Sequence, residues 1–300
     1  MNTRQLHYAI MLSKVRNFSQ VADMLQISQP ALSKQILNLE NELDVKLFDR
    51  TTTPLTLTPA GEFFLHEAQQ LLNREDQLLR SIAQFKSGER GRLDIGISPF
   101  RNLYLMPAIV EKLKEKYPGV QVVLHELESA RLRKETAEGK FDFSILNLPV
   151  EESLLDIIPL EPELLVLAVP NKLASSLPFT QGASYREINF SDCRDLPFVV
   201  VAHPQEMRIY FDRLCSTVNF IPNIAVEVSG GVITAWSMAH AGIGATLLPL
   251  QFVNFQNFDN TMTLFSLKDN EYLRQPVIAT KKGQYLSDCA KYAIDLLSKP

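Results

Sequence analysis

Apolar residues recur at two periods along this chain of 300 residues, and the change of period divides it. Up to about residue 86 the spacing is helical. Leu6, Ile10 and Leu12 mark a first helix with a polar end at Lys14-Val15-Arg16-Asn17. Ala22 and Leu25 face inward from a short second helix, and a turn follows at Gln26-Ile27-Ser28. A third helix opens at Gln29, where Leu32, Ile36, Leu39 and Leu43 fall at spacings of 4, 3 and 4 and make one buried stripe. Leu47-Phe48 and Leu55-Thr56-Leu57 read as two short strands of a wing around Thr51-Thr52-Thr53-Pro54. From Thr58 or Pro59 a long helix runs to about Lys86.

That long helix carries a heptad seam. Phe64, Ala68, Leu71, Glu75, Leu78, Ile82 and Phe85 alternate spacings of 4 and 3, with Glu75 the one polar member. Leu65, Leu72 and Leu79 widen the stripe. The alternative is a helix packed on its own domain, but a stripe of about 25 residues needs more cover than a domain of about 60 residues supplies. The helix is therefore expected to pair two copies of the chain.

Ser87-Gly88-Glu89-Arg90-Gly91-Arg92 breaks the pattern as a polar linker. Beyond it, short apolar runs at 93–97, 120–124, 141–146, 164–169, 198–202, 224–228, 245–248 and 277–280 read as strands. Helical segments such as 105–117 and 231–241 lie between them, which predicts an α/β fold with mostly parallel sheets.

Composition narrows the function. Hydrophobic residues are 46% and charged residues 21%, which suits a globular protein of about two domains. No run of 18 apolar residues suggests a membrane span, and the N-terminus is not a signal peptide. Cys193, Cys215 and Cys289 form no CxxC pair and no zinc spacing, so a reduced cytoplasmic compartment is expected, with no metal and no cofactor. Residues 1–90 hold ten Lys/Arg and ten Asp/Glu, so the whole net charge of −4 falls beyond them. Non-specific attraction to phosphates is then modest. The chain has no GxSxG, HExxH, P-loop or GxGxxG motif, and His7, His66, His125, His203 and His240 show no paired spacing. No catalytic residue is assigned and no enzyme activity is expected.

The stretch from Asn17 to Arg50 carries the chemistry. A short helix, a tight turn and a second helix form the layout of a DNA-reading helix-turn-helix. Ser28 can cap the second helix, and Pro30 falls in its first turn, where a missing N–H costs nothing. Gln29, Ser33, Lys34 and Asn38 lie off the buried stripe and suit base edges or phosphates. Taken alone, such a helix is more often an ordinary solvated one; the preceding helix and turn reverse that reading.

These residues resemble the LysR-type transcriptional regulators. The resemblance rests on Phe18-Ser19-Gln20-Val21-Ala22, Ser28-Gln29-Pro30-Ala31-Leu32-Ser33-Lys34-Gln35-Ile36, Leu39-Glu40, Leu43, Leu47-Phe48-Asp49-Arg50 and Leu57-Thr58-Pro59-Ala60-Gly61. It departs where Asp44 stands for the usual Gly, where Leu37 occupies an often basic position, and where the wing lacks the common Arg or Lys. The resemblance implies an N-terminal winged helix-turn-helix at 1–58, a linker helix and hinge at 59–91, and a two-lobed α/β effector domain of periplasmic-binding-protein type at 92–300. Lobe I is expected at 92–160 and 269–300 and lobe II at 164–265, with crossings near 160–164 and 266–269. It implies operator DNA as partner, read by Ser28, Gln29, Pro30, Ser33, Lys34, Asn38 and Arg50, and a homodimer or homotetramer. It also brings in RNA polymerase as a candidate partner.

The effector site follows from strand ends facing one cleft. The run ending at Ile97 gives Ser98, Phe100, Arg101 and Asn102, ahead of a helix expected near Leu103. Ser98 or Asn102 can bond a carboxylate and Arg101 can pair with it. Asn147, His203, Arg208, Ser229 and Thr246 mark the other strand ends. A lone His at a strand end is more often structural, and the glycines near Thr246 better suit a tight turn. The expected effector is a small anion. The alternative is a redox-responsive regulator using Cys193 and Cys215.

Overall fold

The computed structural model describes residues 1–52, 54–87, 91–182, 185–255, 261–267 and 273–298. Thr53 of the wing, 88–90 of the linker, and Lys268 and Asp269 of the expected second crossing lie outside them. The chain forms two compact units, Met1–Gly91 with Glu138–Lys140, and Arg92–Ala137 with Phe141–Pro300.

In the first unit, α1 (Thr3–Val15), α2 (Phe18–Met24) and α3 (Gln29–Leu43) precede a two-stranded wing. Its strands are β1 (Phe48–Asp49) and β2 (Thr56–Leu57), antiparallel with Phe48 opposite Leu57. Ala9, Leu12, Val21, Ala22, Leu32, Ile36, Leu39 and Leu47 are buried together. Leu25 and Leu43 pack at the edge of that core, partly buried. Gln26 takes a positive φ of 54° in the turn between α2 and α3. The long helix α4 (Pro59–Ser87) starts hard against the wing. A Cβ on Gly61 would lie 2.0 Å from the Leu47 carbonyl oxygen, so only glycine lets α4 begin there.

The face of α4 divides its apolar residues. Ala68 and Leu72 are buried against Leu6 and Ile10 of α1, whereas Leu71, Leu78, Leu79 and Ile82 are exposed, as is Phe63. The seam read from the sequence is thus partly consumed within the unit, while its described members Leu71, Leu78 and Ile82 remain uncovered; the side chain of Phe85 lies outside the described ones.

The second unit runs β3 (Arg92–Ile97), α5 (Pro99–Lys116), β4 (Gln121–Glu126), α6 (Ser129–Ala137), β5 (Phe143–Asn147), β6 (Leu155–Pro159) and β7 (Glu163–Pro170). It continues with α7 (Asn171–Ala174), β8 (Thr180–Gln181), β9 (Arg186–Ile188), β10 (Pro197–Val201), α8 (Glu206–Thr217), β11 (Asn223–Val228) and α9 (Val232–His240). It closes with β12 (Thr246–Pro249), α10 (Leu250–Phe255), β13 (Met262–Leu267), β14 (Leu273–Arg274), β15 (Pro276–Lys281) and α11 (Asp288–Ser298).

Two sheets result. The first has the order β4-β3-β5-β15-β6, the second β12-β7-β13-β9-β8 with β14 on β7. The pair β10-β11 joins the second sheet beside β12, through Val199 N–H to Ala245 O and Ala245 N–H to Pro197 O, each 2.8 Å. A Cβ on Gly244 would meet the Pro197 oxygen at 2.5 Å, so the glycine is required by this close strand approach. Alternation along β7 covers both faces of its sheet: Leu165, Leu167 and Val169 enter one core, Val166 and Ala168 the other.

Three expectations are corrected. The sheets are mixed rather than mostly parallel: β3-β4, β3-β5, β10-β11 and β9-β13 are parallel, but β7 and β15 run antiparallel to their neighbours. These are the strands next to the crossings, where the chain leaves one sheet and later returns against its own direction. The return crossing lies at Arg274–Pro276, later than 266–269, because β14 pairs Leu273 with Leu164 and Arg274 with Glu163 before β15 enters the first sheet. There Gln275 donates to Leu160 O at 2.6 Å and accepts from Leu148 N–H at 3.0 Å, tying the two crossings together. Finally, α5 begins at Pro99 rather than near Leu103, since Ser98 accepts from Arg101 N–H as its N-cap.

Asp44 ends α3 in the left-handed region (φ 52°, ψ 35°), where a Cβ is strained. Replacing Asp44 with Gly removes that strain and is expected to raise stability by about 0.5–1 kcal/mol. A higher urea midpoint with an unchanged slope checks this.

Candidate functional site

On the first unit, the outer face of α3 is polar. Gln29, Pro30, Lys34 and Asn38 are exposed and Ser33 is half-buried, opposite the buried Leu32, Ile36 and Leu39. Ser28 caps the helix, accepting from Ala31 N–H at 3.3 Å. Arg50, expected to meet DNA, is also held within the unit. It donates to Glu40 Oε2 at 2.9 Å and sits over the Phe18 ring, 5.3 Å from its centroid, with its other nitrogen 3.5 Å from Ser33 Oγ. It is therefore a strut between wing and helix, still partly open to solvent.

Glu40 is the residue the sequence reading missed. It is 1% exposed, and its Oε1 accepts from Leu47 N–H at 2.9 Å and Phe48 N–H at 3.1 Å. One carboxylate thus fastens α3 to the first wing strand. Its signal was a lone acid beside the buried stripe, already present in Leu39-Glu40.

The second unit holds a cavity of about 450 Å³ between the two sheets. The end of β3 and the start of α5 contribute Ser98, Phe100 and Arg101, and the end of β5 contributes Asn147. Across from them stand His203 and Glu206 after β10, and Ser229 to Ile233 at the start of α9. Leu127, Leu132, Ile145, Leu146 and Met207 supply apolar wall, and Arg133 and Arg274 complete the charged groups with Glu128.

At its floor Glu163 binds two guanidinium groups. Arg101 donates to it through Nε at 2.9 Å and Nη2 at 2.8 Å, Arg274 donates through Nη2, and Tyr104 donates its hydroxyl at 3.0 Å. Arg101, Glu163 and Arg274 are 3%, 3% and 5% exposed. Burial pushes the Glu163 carboxyl up, but the charges of Arg274 and Arg101 and the bonds from Arg101 and Tyr104 outweigh it and hold it at about 2. Burial, then the charge of Glu163, pushes the Tyr104 hydroxyl well above its ordinary value. Arg101 also donates to Asn147, Asn147 donates to Glu206, and Arg133 donates to Glu206 at 2.8 Å. A continuous polar chain thus runs from the crossing strands to the far side of the cavity.

Several expected contacts are redistributed. Arg101 lines the cavity but is spent on Glu163, because a buried cation needs a fixed counter-charge. Asn102 lies in the first turn of α5 and donates to Glu126, off the lining. Arg208 pairs with Asp212 at 2.8 Å and with Glu227, and is also off the lining. His203 lines the cavity while its Nε2 meets Asp212 Oδ2 at 3.0 Å. Thr246 is 2% exposed within β12, opposite Ala168, and does not reach the cavity. The structure therefore brings together Ser98, Phe100, Arg101, Asn147, His203 and Ser229, and adds Arg133, Glu206 and Arg274.

The three cysteines are free and buried. Cys193 and Cys215 are buried in the large core behind β10, and burial pushes their thiols up to about 12 and about 11. Cys289 is buried likewise and pushed up to about 11. A thiol held protonated in apolar surroundings is a poor nucleophile towards an oxidant.

A winged helix-turn-helix in one unit and two cleft-forming α/β lobes in the other define a DNA-binding regulator with a small-molecule domain. The model for a bacterial regulatory helix-turn-helix protein of the lysR family matches residues 3–62, and that for the LysR substrate binding domain matches 86–299. The chain is 34% identical over 260 residues to the uncharacterized HTH-type transcriptional regulator YcgK of Bacillus subtilis (strain 168), covering 83% of this chain and 80% of that one. It is 37% identical over 255 residues to the DNA-binding transcriptional dual regulator OxyR of Escherichia coli (strain K12), covering 83% and 79%. The crystal structure of CbnR, a LysR family transcriptional regulator, matches over 100% of both chains with a TM-score of 0.68 at 18% identity. The chain belongs to the LysR family of bacterial helix-turn-helix transcriptional regulators.

Replacing Glu163 with Gln leaves Arg101 and Arg274 buried without a counter-charge. It is expected to destabilise the second unit by about 3–5 kcal/mol. The sign with pH follows from the depressed carboxyl: its contribution is fully present above the ordinary value of 4.5 and is lost as pH falls through about 2. Thermal melts across that window should show the parent losing stability more steeply than Glu163→Gln.

Proposed function

We propose that this regulator reads operator DNA through the outer face of α3 and is switched by a small molecule held in the cavity between the two sheets. The observation that carries the reading is the cavity itself. Polar groups from both lobes converge on it, while α3 presents Gln29, Ser33, Lys34 and Asn38 to solvent. We assign the DNA head to 1–58, the connecting helix to 59–91 and the effector domain to 92–300, with the lobes exchanging at 160–163 and 274–276. The exposed Leu71, Leu78, Leu79 and Ile82 support pairing of two chains along α4. The family reading supports regulation without catalysis. Among the described residues no helix is long and apolar enough to cross a membrane, and a cytoplasmic place for this DNA-binding regulator is part of the proposal.

On the DNA side, Ser33→Ala or Lys34→Ala should weaken operator binding by roughly 1–3 kcal/mol for a lost base contact. Gel-shift titration of both variants measures it, and unchanged affinity with an intact fold would take α3 out of the readout. On the effector side, Ser98→Leu should abolish binding of a ligand found by thermal-shift screening and leave operator binding intact. Calorimetry giving equal affinity in parent and variant would move the effector site away from this cavity.

A further inference from the structure

The cavity already contains an anion of its own. Glu206, in the first turn of α8, reaches across the cleft to Arg133 on α6 and to Asn147 at the end of β5. These two donors belong to the first sheet's lobe and Glu206 to the second, so its carboxylate spans the lobes. The other two guanidiniums of the lining, Arg101 and Arg274, are answered from behind by Glu163. With Glu128 on the wall, the charges around the cavity balance. An added anion therefore finds every guanidinium of the lining already paired with an acid, and it gains Arg133 by displacing Glu206.

The spare hydrogen-bonding capacity decides the sign. The Nε of Arg274, a residue 5% exposed on the lining, has no acceptor among the described residues. At the start of α9, also on the lining, Gly231 has no side chain to cap the first-turn N–H groups. Both features are donors, and both suit a carboxylate. The remaining wall is apolar, with Phe100, Leu132, Ile145 and Val232, and the volume of about 450 Å³ lies at the small end of the range for ligand sites, roughly 300–1,000 Å³.

We propose, on the reading that this cavity is the effector site, that its ligand is a small apolar monocarboxylate whose head group takes the place of Glu206 on Arg133 and Asn147. Ligand entry exchanges an internal ion pair for an external one and releases the contact that Glu206 makes between the lobes. Glu206 sits at a helix start on the cavity lining, mostly buried with its side chain 15% exposed, so its displacement means turning the carboxylate outward to water.

Calorimetry on the full chain tests this with isovalerate and phenylacetate as probes, isovaleramide and 2-phenylethylamine as controls. Trp236, the only tryptophan, offers a second readout. Its ring meets Phe252 edge-on with centroids 5.8 Å apart, and Phe252 packs on Phe100 of the lining with centroids 5.4 Å apart. A carboxylate is expected to bind at least about tenfold more tightly than the amide or amine. Glu206→Gln, which keeps shape and removes the competing charge, should bind that carboxylate about tenfold more tightly than the parent. Arg133→Met should lose the preference for carboxylate over amide. The proposal is overturned if neither carboxylate binds the parent or Glu206→Gln, if amide or amine binds as well, or if Glu206→Gln binds no tighter. A screened ligand that Ser98→Leu blocks, but that ignores changes at Arg133 and Glu206, would keep the cavity as effector site and reject this ligand class.

Discussion

Glu163 sets the terms for the effector domain. A carboxylate 3% exposed is costly to bury, and it persists because Arg101 and Arg274 meet it from two different elements. Those elements are the start of α5 and the return crossing, and Glu163 itself begins β7 at the outgoing crossing. One buried charge therefore fixes three segments at the point where the chain changes sheets. Removing any partner leaves a charge in a low-dielectric interior, so the arrangement is strongly specified. The crossing between the two sheets is consequently defined by electrostatics as much as by the backbone pairing of β14 with β7.

The DNA head uses the same device on a smaller scale. Glu40 accepts from two wing amides and from Arg50, so α3 and the wing are tied together. In both units a buried acid organises backbone that apolar packing alone leaves free to slide. Leu32, Ile36 and Leu39 bury one face of α3 but do not set where β1 lies along it. Glu40 does, because its two hydrogen bonds are directional.

The legible parts of this chain were those with local signals. Ser28, Pro30 and the Leu32–Ile36–Leu39 stripe each act within a few residues, and they marked α3 to its first residue. Most strands of the second unit were visible as apolar runs, but β6, β8, β9, β13 and β14 were not. They are short, or half-exposed, and carry mixed residues such as Thr263 and Ser266 in β13. Their pairing is decided by strands distant in sequence. The cavity residues show the same limit. Ser98 and Asn147 follow from strand ends, whereas Arg133, Glu206 and Arg274 lie within or at the ends of helices and short strands. Only the fold brings their charges within bonding distance. Arg101 was visible as a cation at the right strand end, yet its partner Glu163 stands 62 positions away, and no spacing rule links them.

This economy of charge governs how each site gains affinity. The first 90 residues balance acids against bases, and Arg50 is occupied by Glu40, with Lys46 3.9 Å from the same carboxylate. The wing offers threonines where cations would add phosphate contacts. A single head then carries little counterion-release free energy, a deficit that the proposed joining of two heads on one DNA would make good without added charge. The cavity follows the same logic inward. Its guanidiniums are matched by internal acids, so under the proposed exchange binding strength depends on which internal pair a ligand replaces, and selectivity on the strength of the pair given up.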